Sequence, residues 1–241
     1  HHSLLDKRNP HPVAFSNLQS AIRNHQSKMP SIEQARAWYS QADPVHDFEH
    51  VLRVYDMAER LAQAEGADLE IVRAAVLLHD ALGSAPGGEA ADRANHHHSS
   101  ADFAASVLKT EGWPEERIAA VLHCIRAHRF RDQSEPPQSL EAKILFDADK
   151  LDVIGAIGAV RTIIYAVLDG KPVYSQPSDH FRDTGQVEPG ELHSSYHEFL
   201  FKLVKIKDRL FTPTARALAA ARHAYLVDFF EELRAEMNGE R

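Results

Sequence analysis

The chain has 241 residues, of which 44% are apolar and 26% are charged, so it can bury one sizeable core and is neither disordered nor fibrous. Its 27 Lys and Arg residues stand against 35 Asp and Glu residues, and the net charge of −8 disfavours general binding to a nucleic acid polymer. Cys124 is the only cysteine, which excludes an internal disulfide and a thiolate-rich zinc cluster and favours a cytoplasmic protein.

The first 30 residues show no sustained apolar period, and His1 and His2 have the composition of an affinity-tag remnant. We therefore predict a lead-in over residues 1–30 and a single domain over residues 31–241. No apolar run approaches the roughly 20 residues of a membrane helix, and no secretory signal is evident. Neither a membrane span nor a membrane partner is predicted.

Helix signals are dense from Ser31 onward, where Ser31 and Gln34 form the pattern of a capping box. Apolar residues recur at spacings of three and four, with N-cap residues before them and Gly or Pro after them, so the chain is predicted to be all-α. The later helices are predicted at 44–64, 68–81, 100–110, 114–128, 139–168, 194–210 and 213–237.

The segment 170–190 is rich in Pro, Ser, Asp and Gly and carries no helical period. A stretch of this length without regular structure is unusual inside a compact domain unless it has a function. It is therefore predicted to be a functional loop or lid.

Two histidines face the predicted core. His50 shares one helix face with Val54 and Leu61, four and eleven residues later along the chain. His79 lies on the apolar stripe of the next predicted helix and is followed directly by Asp80. A buried imidazole beside a buried carboxylate needs a partner.

Asp149 is a third polar residue that faces the predicted core. It lies four positions after Leu145 and four before Val153, on the core side of its predicted helix. Burying an unpaired carboxylate is costly, so a cation, a metal or a hydrogen-bond network is expected beside it. Nitrogen and oxygen ligands together suit Mn²⁺, Fe²⁺, Co²⁺ or Zn²⁺, whereas Mg²⁺ usually prefers oxygen alone. A single His on an apolar face is more often a hydrogen-bonded core residue, so the spacing leaves both interpretations open.

Several stretches together resemble the HD superfamily of metal-dependent phosphohydrolases. The stretches are HDFEHVLRV at 46–54, AAVLLHDAL at 74–82, CIRAH at 124–128 and DADKLDVIGAIGAVR at 147–161. The chain is similar in particular to small bacterial HD proteins that include manganese-dependent nucleoside triphosphate pyrophosphohydrolases, whose closing segment resembles HEFLFKLVKIKDRLFTPTARALAAAR. The resemblance covers residues 40–235 and implies an all-α, HD-domain helical bundle.

Carried over position by position, the resemblance implies that His50, His79, Asp80 and Asp149 hold a divalent metal ion. Mn²⁺ is expected first, with Fe²⁺, Co²⁺, Zn²⁺ and Mg²⁺ as alternatives. Asp147 is the rival for the fourth position, but it lies about 200° around the helix from Asp149, so both cannot face one ion. Asp149 is favoured because the family's ligand usually follows a small residue and precedes a basic one.

The resemblance also places His98 and His128 where some HD enzymes hold a second metal ion. The alternative for either side chain is a contact with substrate phosphate or water, and the triplet 96–98 is equally compatible with an exposed loop. Arg129 and Lys150 are the cations expected to bind substrate phosphate, and Lys150 also to stabilise the charge that develops during hydrolysis.

The predicted function is hydrolysis of a small phosphorylated substrate, with pyrophosphate release from nucleoside triphosphates as the specific hypothesis. Asp80 is expected to accept a proton from water, and Asp152 is the candidate for a separate base. The first alternative is a 5′-nucleotidase or phosphomonoesterase acting at the same site. The second is a nonenzymatic nucleotide-binding regulatory module, and a third is an HD-type oxygenase that uses two iron ions.

Overall fold

The structure is a computed structural model that describes residues 28–39, 48–82, 90–129 and 134–241, apart from the side chains of 90–95. Within these ranges the chain is helical and contains no β-strand, which confirms the predicted all-α class. The helices are α1 (Ile32–Trp38), α2 (Phe48–Glu65), α3 (Leu69–Leu78), α4 (Ala90–Thr110), α5 (Glu115–Ala127), α6 (Leu140–Leu151), α7 (Gly155–Leu168), α8 (Asp179–Thr184), α9 (Ser195–Phe201) and α10 (Pro213–Met237). Most of the predicted lead-in, and the start of the helix predicted at 44–64, lie outside the described residues.

Helix starts follow the side chains that the sequence offers. The Ser31 hydroxyl accepts a hydrogen bond from the Gln34 N–H at 3.1 Å, and the Gln34 side chain accepts one from the Ser31 N–H at 2.9 Å, which confirms the capping box. The Asp68 carboxylate caps α3 by accepting hydrogen bonds from the backbone N–H groups of Glu70 and Ile71. Thr212 caps α10, and Pro213 occupies its first turn.

The single helix predicted at 139–168 is wrong, because the chain breaks after Leu151 and resumes as α7 at a bend of 71°. Gly155 adopts a φ of 78° at the break, a conformation that glycine accepts without strain. A Cβ on Gly158 would lie 2.3 Å from the carbonyl group of Val153, so the turn also needs glycine at that position. No single helix in the described ranges is long and apolar enough to cross a membrane, although α6 and α7 together pass that test by length and composition.

Two other boundaries differ from the sequence prediction. The helix predicted at 194–210 ends at Phe201 and continues as two 3₁₀ turns, Leu203–Lys205 and Lys207–Arg209. The helix predicted at 100–110 begins ten residues earlier, at Ala90, so the histidine triplet 96–98 lies on a helix.

The core forms where α2, α3, α5 and α6 pack together. α2 lies against α3 and α6, α5 lies against α3, α4 and α6, and α10 packs along α7 and α6. Val51, Leu61, Leu77, Ile125 and Leu145 are fully buried between these helices. The close packing fixes the end of the bundle where α2 begins and where α3 and α6 end.

The segment predicted as a loop at 170–190 contains the short helix α8, and Glu191 follows it directly. Its carboxylate accepts hydrogen bonds from the Ser178 N–H at 2.7 Å, the Ser178 hydroxyl at 2.8 Å and the Glu188 N–H at 2.7 Å. It also contacts the buried His197 at 3.0 Å. The segment is therefore tied to the start of α9 by one side chain, and its role as a lid stays a prediction.

Replacing Glu191 with glutamine is expected to lower the melting temperature in a pH-dependent way. The N–H groups of Ser178 and Glu188 are the main causes that lower the pKa of Glu191 to about 2. Because the carboxylate loses its proton more easily in the folded chain, its stabilisation is present above the ordinary pKa of about 4.3 and is lost as the pH falls toward 2. Thermal unfolding followed by circular dichroism at pH 7, 5, 4 and 3 will measure the difference between variant and wild type.

The difference in melting temperature between wild type and Glu191→Gln should shrink steadily as the pH falls below 5. Glu188→Gln is the matched control, because the Glu188 side chain is exposed and only its backbone N–H contacts Glu191. If the difference in melting temperature between wild type and Glu191→Gln stays constant across this pH range, the ionised Glu191 carboxylate does not stabilise the fold as proposed.

Candidate metal centre

Three helix ends bring together four of the residues that the sequence singled out. His50 lies in the first turn of α2, His79 caps the C-terminus of α3 and precedes Asp80, and Asp149 lies near the end of α6. The His50 Nε2 atom is 3.5 Å from Asp149 Oδ1, and the His79 Nε2 atom is 3.5 Å from Asp80 Oδ2. One potential ligand atom from each of His50, His79 and Asp80 falls within 4.8 Å of the others. All four side chains are buried.

His79 offers the clearest sign that this cluster suits a metal ion. Its Nδ1 atom lies 2.7 Å from the carbonyl oxygen of Val76, to which it donates a hydrogen bond, so the Nε2 atom carries the lone pair of the neutral ring. That Nε2 atom is buried and has no hydrogen-bond partner among the described residues. Burial lowers the pKa of His79 to about 4, which keeps the ring neutral near pH 7. A neutral imidazole with an unused buried lone pair is the state in which histidine binds metals.

The two carboxylates of the cluster are charged despite their burial. Burial by itself raises the pKa of Asp80, but His79, His128 and His96 outweigh it and hold the pKa well below its usual range. Burial likewise opposes the ionised form of Asp149, and the neighbouring charge of Lys150 outweighs it, so that its pKa is also low. The Lys150 ammonium lies directly against Asp149 Oδ2, as a cation beside the cluster.

His50 is held between two carboxylates. Burial and the charge of Arg161 lower its pKa, but hydrogen bonds to Asp149 and Asp152 outweigh both and raise it. A metal ion that binds Nε2 must therefore displace any proton held at that atom.

A second group of potential ligands adjoins the first and shares Asp80 with it. Asp80 Oδ1 lies 3.5 Å from the Nε2 atoms of both His96 and His128, and these atoms also fall within 4.8 Å of one another. The rings of His79 and His128 stand edge to face, with centroids 5.2 Å apart. The arrangement offers either donors for a phosphate oxygen or ligands for another cation.

The other predicted site residues lie in different places. His128 and Lys150 border the cluster, and Arg129 follows His128 directly at the end of α5. His98 is exposed, and its ring contacts His97, with centroids 4.0 Å apart. The member of the triplet that reaches Asp80 is His96, which the sequence analysis did not select.

Asp147 points away from the cluster toward the start of α10. Its fully buried carboxylate accepts hydrogen bonds from the N–H groups of Phe211 and Thr212 at 2.9 and 2.8 Å and from the Thr212 hydroxyl at 2.7 Å. Three donors occupy the oxygens that a metal ion would need. Of the two rivals, the structure brings Asp149 beside His50.

Asp152 lies on the far side of the His50 ring from Asp149. Its Oδ2 atom is 2.7 Å from His50 Nδ1, and Arg53 and Arg161 contact the same carboxylate. Burial raises the pKa of Asp152, but the hydrogen bonds from His50 and Arg53 and the charge of Arg161 outweigh it and lower the pKa to about 2. This position does not suit the predicted base, because the His50 ring separates the carboxylate from the Nε2 side.

Comparison with known proteins shows the family of the chain. The HD domain model matches residues 47–154, a range that includes His50, His79, Asp80 and Asp149. The chain belongs to the HD domain family. YpgQ of Bacillus subtilis (strain 168), described as an uncharacterized protein, is 32% identical over 214 residues, which covers 86% of this chain and 94% of YpgQ.

Solved structures are similar to this chain over most of its length. The crystal structure of B. subtilis YpgQ in complex with ADP has a TM-score of 0.66 at 31% identity and covers 87% of this chain and 99% of that one. An HD-superfamily hydrolase from Bacillus thuringiensis has a TM-score of 0.60 at 29% identity and covers 91% of this chain and 98% of that one. Together these matches identify the chain as a metal-dependent hydrolase of the HD superfamily.

Proposed function

We propose that this chain hydrolyses nucleoside triphosphates to a nucleoside monophosphate and pyrophosphate, with one divalent ion held by His50, His79, Asp80 and Asp149. The observation that carries the proposal is the unpartnered, buried Nε2 atom of His79, which lies 3.5 Å from Asp80 Oδ2, in a ring that stands edge to face with the His50 imidazole. Mn²⁺ is the ion that we expect first, because the donor set mixes imidazole and carboxylate.

A nucleotide substrate is supported by the B. subtilis relative, whose crystal structure is a complex with ADP. That relative is 31% identical to this chain and covers 87% of it. A nucleoside diphosphate presents the same α- and β-phosphates as a triphosphate, so a pocket that binds the first has the chemistry to bind the second.

The residues around the ion have distinct proposed roles. When bound, a divalent ion lowers the pKa of a coordinated water to about 7 and polarises a phosphoryl oxygen. Asp80, besides holding the ion, accepts the proton of the attacking water. His96 Nε2, 3.5 Å from Asp80 Oδ1, is placed to donate to the phosphate oxygens as negative charge develops on them. His128 Nε2 lies at the same distance from Asp80 Oδ1, with the His128 Nδ1 atom donating to the carbonyl oxygen of Ile125. Lys150 and Arg129 add positive charge beside the site.

Incubating the purified protein with Mn²⁺ and a panel of nucleoside mono-, di- and triphosphates tests the proposal. Separation of orthophosphate from pyrophosphate identifies which bond breaks, and the expected products of a triphosphate are monophosphate and pyrophosphate. Release of orthophosphate from monophosphates would instead favour the 5′-nucleotidase. A protein that turns over no nucleotide but melts at a higher temperature when a nucleotide is added would be a regulatory module.

A further inference from the structure

Asp152 stands at the centre of a buried charge network behind the candidate metal centre. It follows α6 directly and has only 5% of its surface exposed. Its Oδ1 atom accepts a hydrogen bond from Arg53 Nε at 2.8 Å, and its Oδ2 atom accepts one from Arg53 at 3.1 Å. Arg161 NH1 also donates to Oδ2. Two guanidinium groups therefore hold the carboxylate in one orientation, since arginine donates in a fixed fork.

His50 Nδ1 faces both members of this network. It lies 2.7 Å from Asp152 Oδ2 and 2.7 Å from the Arg161 NH1 atom. Arginine only donates hydrogen bonds and a carboxylate only accepts them, so the two neighbours favour opposite tautomers of His50. A proton on Nδ1 pairs with Asp152 and leaves the Nε2 lone pair toward Asp149. A bare Nδ1 would accept from Arg161 and put the proton on Nε2, where it blocks a metal ion.

We propose that Asp152 is a positioning residue that selects the metal-binding tautomer of His50. The proposal rests on the proposed role of His50 as a metal ligand. Arg53 and Arg161 fix Asp152, Asp152 accepts the Nδ1 proton, and Nε2 thereby presents its lone pair on the side of Asp149 and His79. Carboxylates that accept the second N–H of a metal-bound histidine orient the ring and strengthen its bond to the metal.

Asp152→Asn is the direct test. The asparagine carbonyl will turn toward the two guanidinium groups, and its NH₂ group will then face His50 Nδ1 and favour the wrong tautomer. We expect affinity for Mn²⁺, measured by isothermal titration calorimetry, to fall by about 10- to 100-fold. In Zn²⁺-loaded wild type, ¹⁵N-resolved NMR of the histidine rings should show the His50 proton on Nδ1, and this pattern should be lost in the variant.

Asp56→Asn is the matched control. Asp56 is an exposed carboxylate of α2 that lines a cavity of about 310 Å³ together with Arg53 and Asp152, and no hydrogen bond to His50 is seen for it among the described residues. Its replacement changes the same functional group in the same region, and Mn²⁺ affinity should stay within about twofold of wild type. Should Asp152→Asn fail to fold, Arg53→Gln removes two hydrogen bonds from Asp152 and should weaken Mn²⁺ binding in the same direction, to a smaller extent.

Hydrolysis measured against Mn²⁺ concentration separates positioning from base catalysis. A positioning variant needs more Mn²⁺ but regains most of its kcat at saturation, whereas a variant that has lost its base stays slow at every Mn²⁺ concentration. Unchanged Mn²⁺ affinity in the folded variants, or a kcat that saturating Mn²⁺ does not restore, overturns the proposal. The metal titration needs no turnover, so weakened binding in a chain that hydrolyses no nucleotide supports this inference while contradicting the proposed function.

Discussion

Replacing His79 with alanine is expected to lower the affinity for Mn²⁺ by about 100-fold or more, above the roughly 10- to 100-fold loss caused by removing an outer partner of a metal ligand. The variant loses a buried imidazole nitrogen that has no hydrogen-bond partner in the described part of the chain and lies 3.5 Å from Asp80 Oδ2. Phosphohydrolase activity should disappear at Mn²⁺ concentrations that saturate the wild type. Metal analysis after dialysis and a nucleotide hydrolysis assay measure the two effects.

His180→Ala is the control for this variant, because His180 is an exposed residue of α8. Circular dichroism of the metal-free proteins shows whether His79→Ala keeps its helices. A folded His79→Ala protein that retains a full complement of metal and full activity would mean that the proposed site is wrong.

The sequence predicted the elements whose signals are local. The capping box at Ser31 and the cap at Thr212 are short patterns that determine helix starts wherever they lie in the fold. The break between α6 and α7 could not be predicted in this way, because apolar residues continue at helical spacing across it. Gly155 adopts a left-handed conformation there, and the Arg222 side chain of α10 lies only 3.1 Å from where its Cβ would be, a long-range contact that no local pattern shows.

The sequence predicted some residues of the candidate site and missed others, because the missed contacts depend on how helices pack in the folded chain. Adjacent residues on a helix point about 100° apart, so which member of a histidine triplet faces the core depends on how the whole helix is placed. With the helix predicted to begin at residue 100, no local pattern distinguished His96 from His98. The contact between His50 and Asp152 joins residues 102 positions apart, and it exists only because α2 packs on α6.

Asp147→Asn and Asp149→Asn, two residues apart on α6, are expected to change different properties of the protein. In Asp147→Asn an amide NH₂ will face donors on Phe211 and Thr212, and leaving buried donors unpaired costs about 1–3 kcal/mol each. A loss of roughly 2–4 kcal/mol lowers the melting temperature by about 5–15 °C in a chain of this size. The site around Asp149 is untouched, so Mn²⁺ should stabilise this variant as much as it stabilises the wild type.

Asp149→Asn should show the reverse pattern. Metal at 100 times its dissociation constant stabilises a folded protein by about 2.7 kcal/mol, and a 100-fold weaker site reduces this to about 0.4 kcal/mol at the same concentration. The rise in melting temperature on adding Mn²⁺ should therefore nearly vanish. Thermal unfolding of both variants without Mn²⁺ measures the melting temperature of the metal-free protein. The same measurement with Mn²⁺ gives the rise in melting temperature that the metal causes. If Mn²⁺ no longer raises the melting temperature of Asp147→Asn but still raises that of Asp149→Asn, then Asp147 is the fourth ligand.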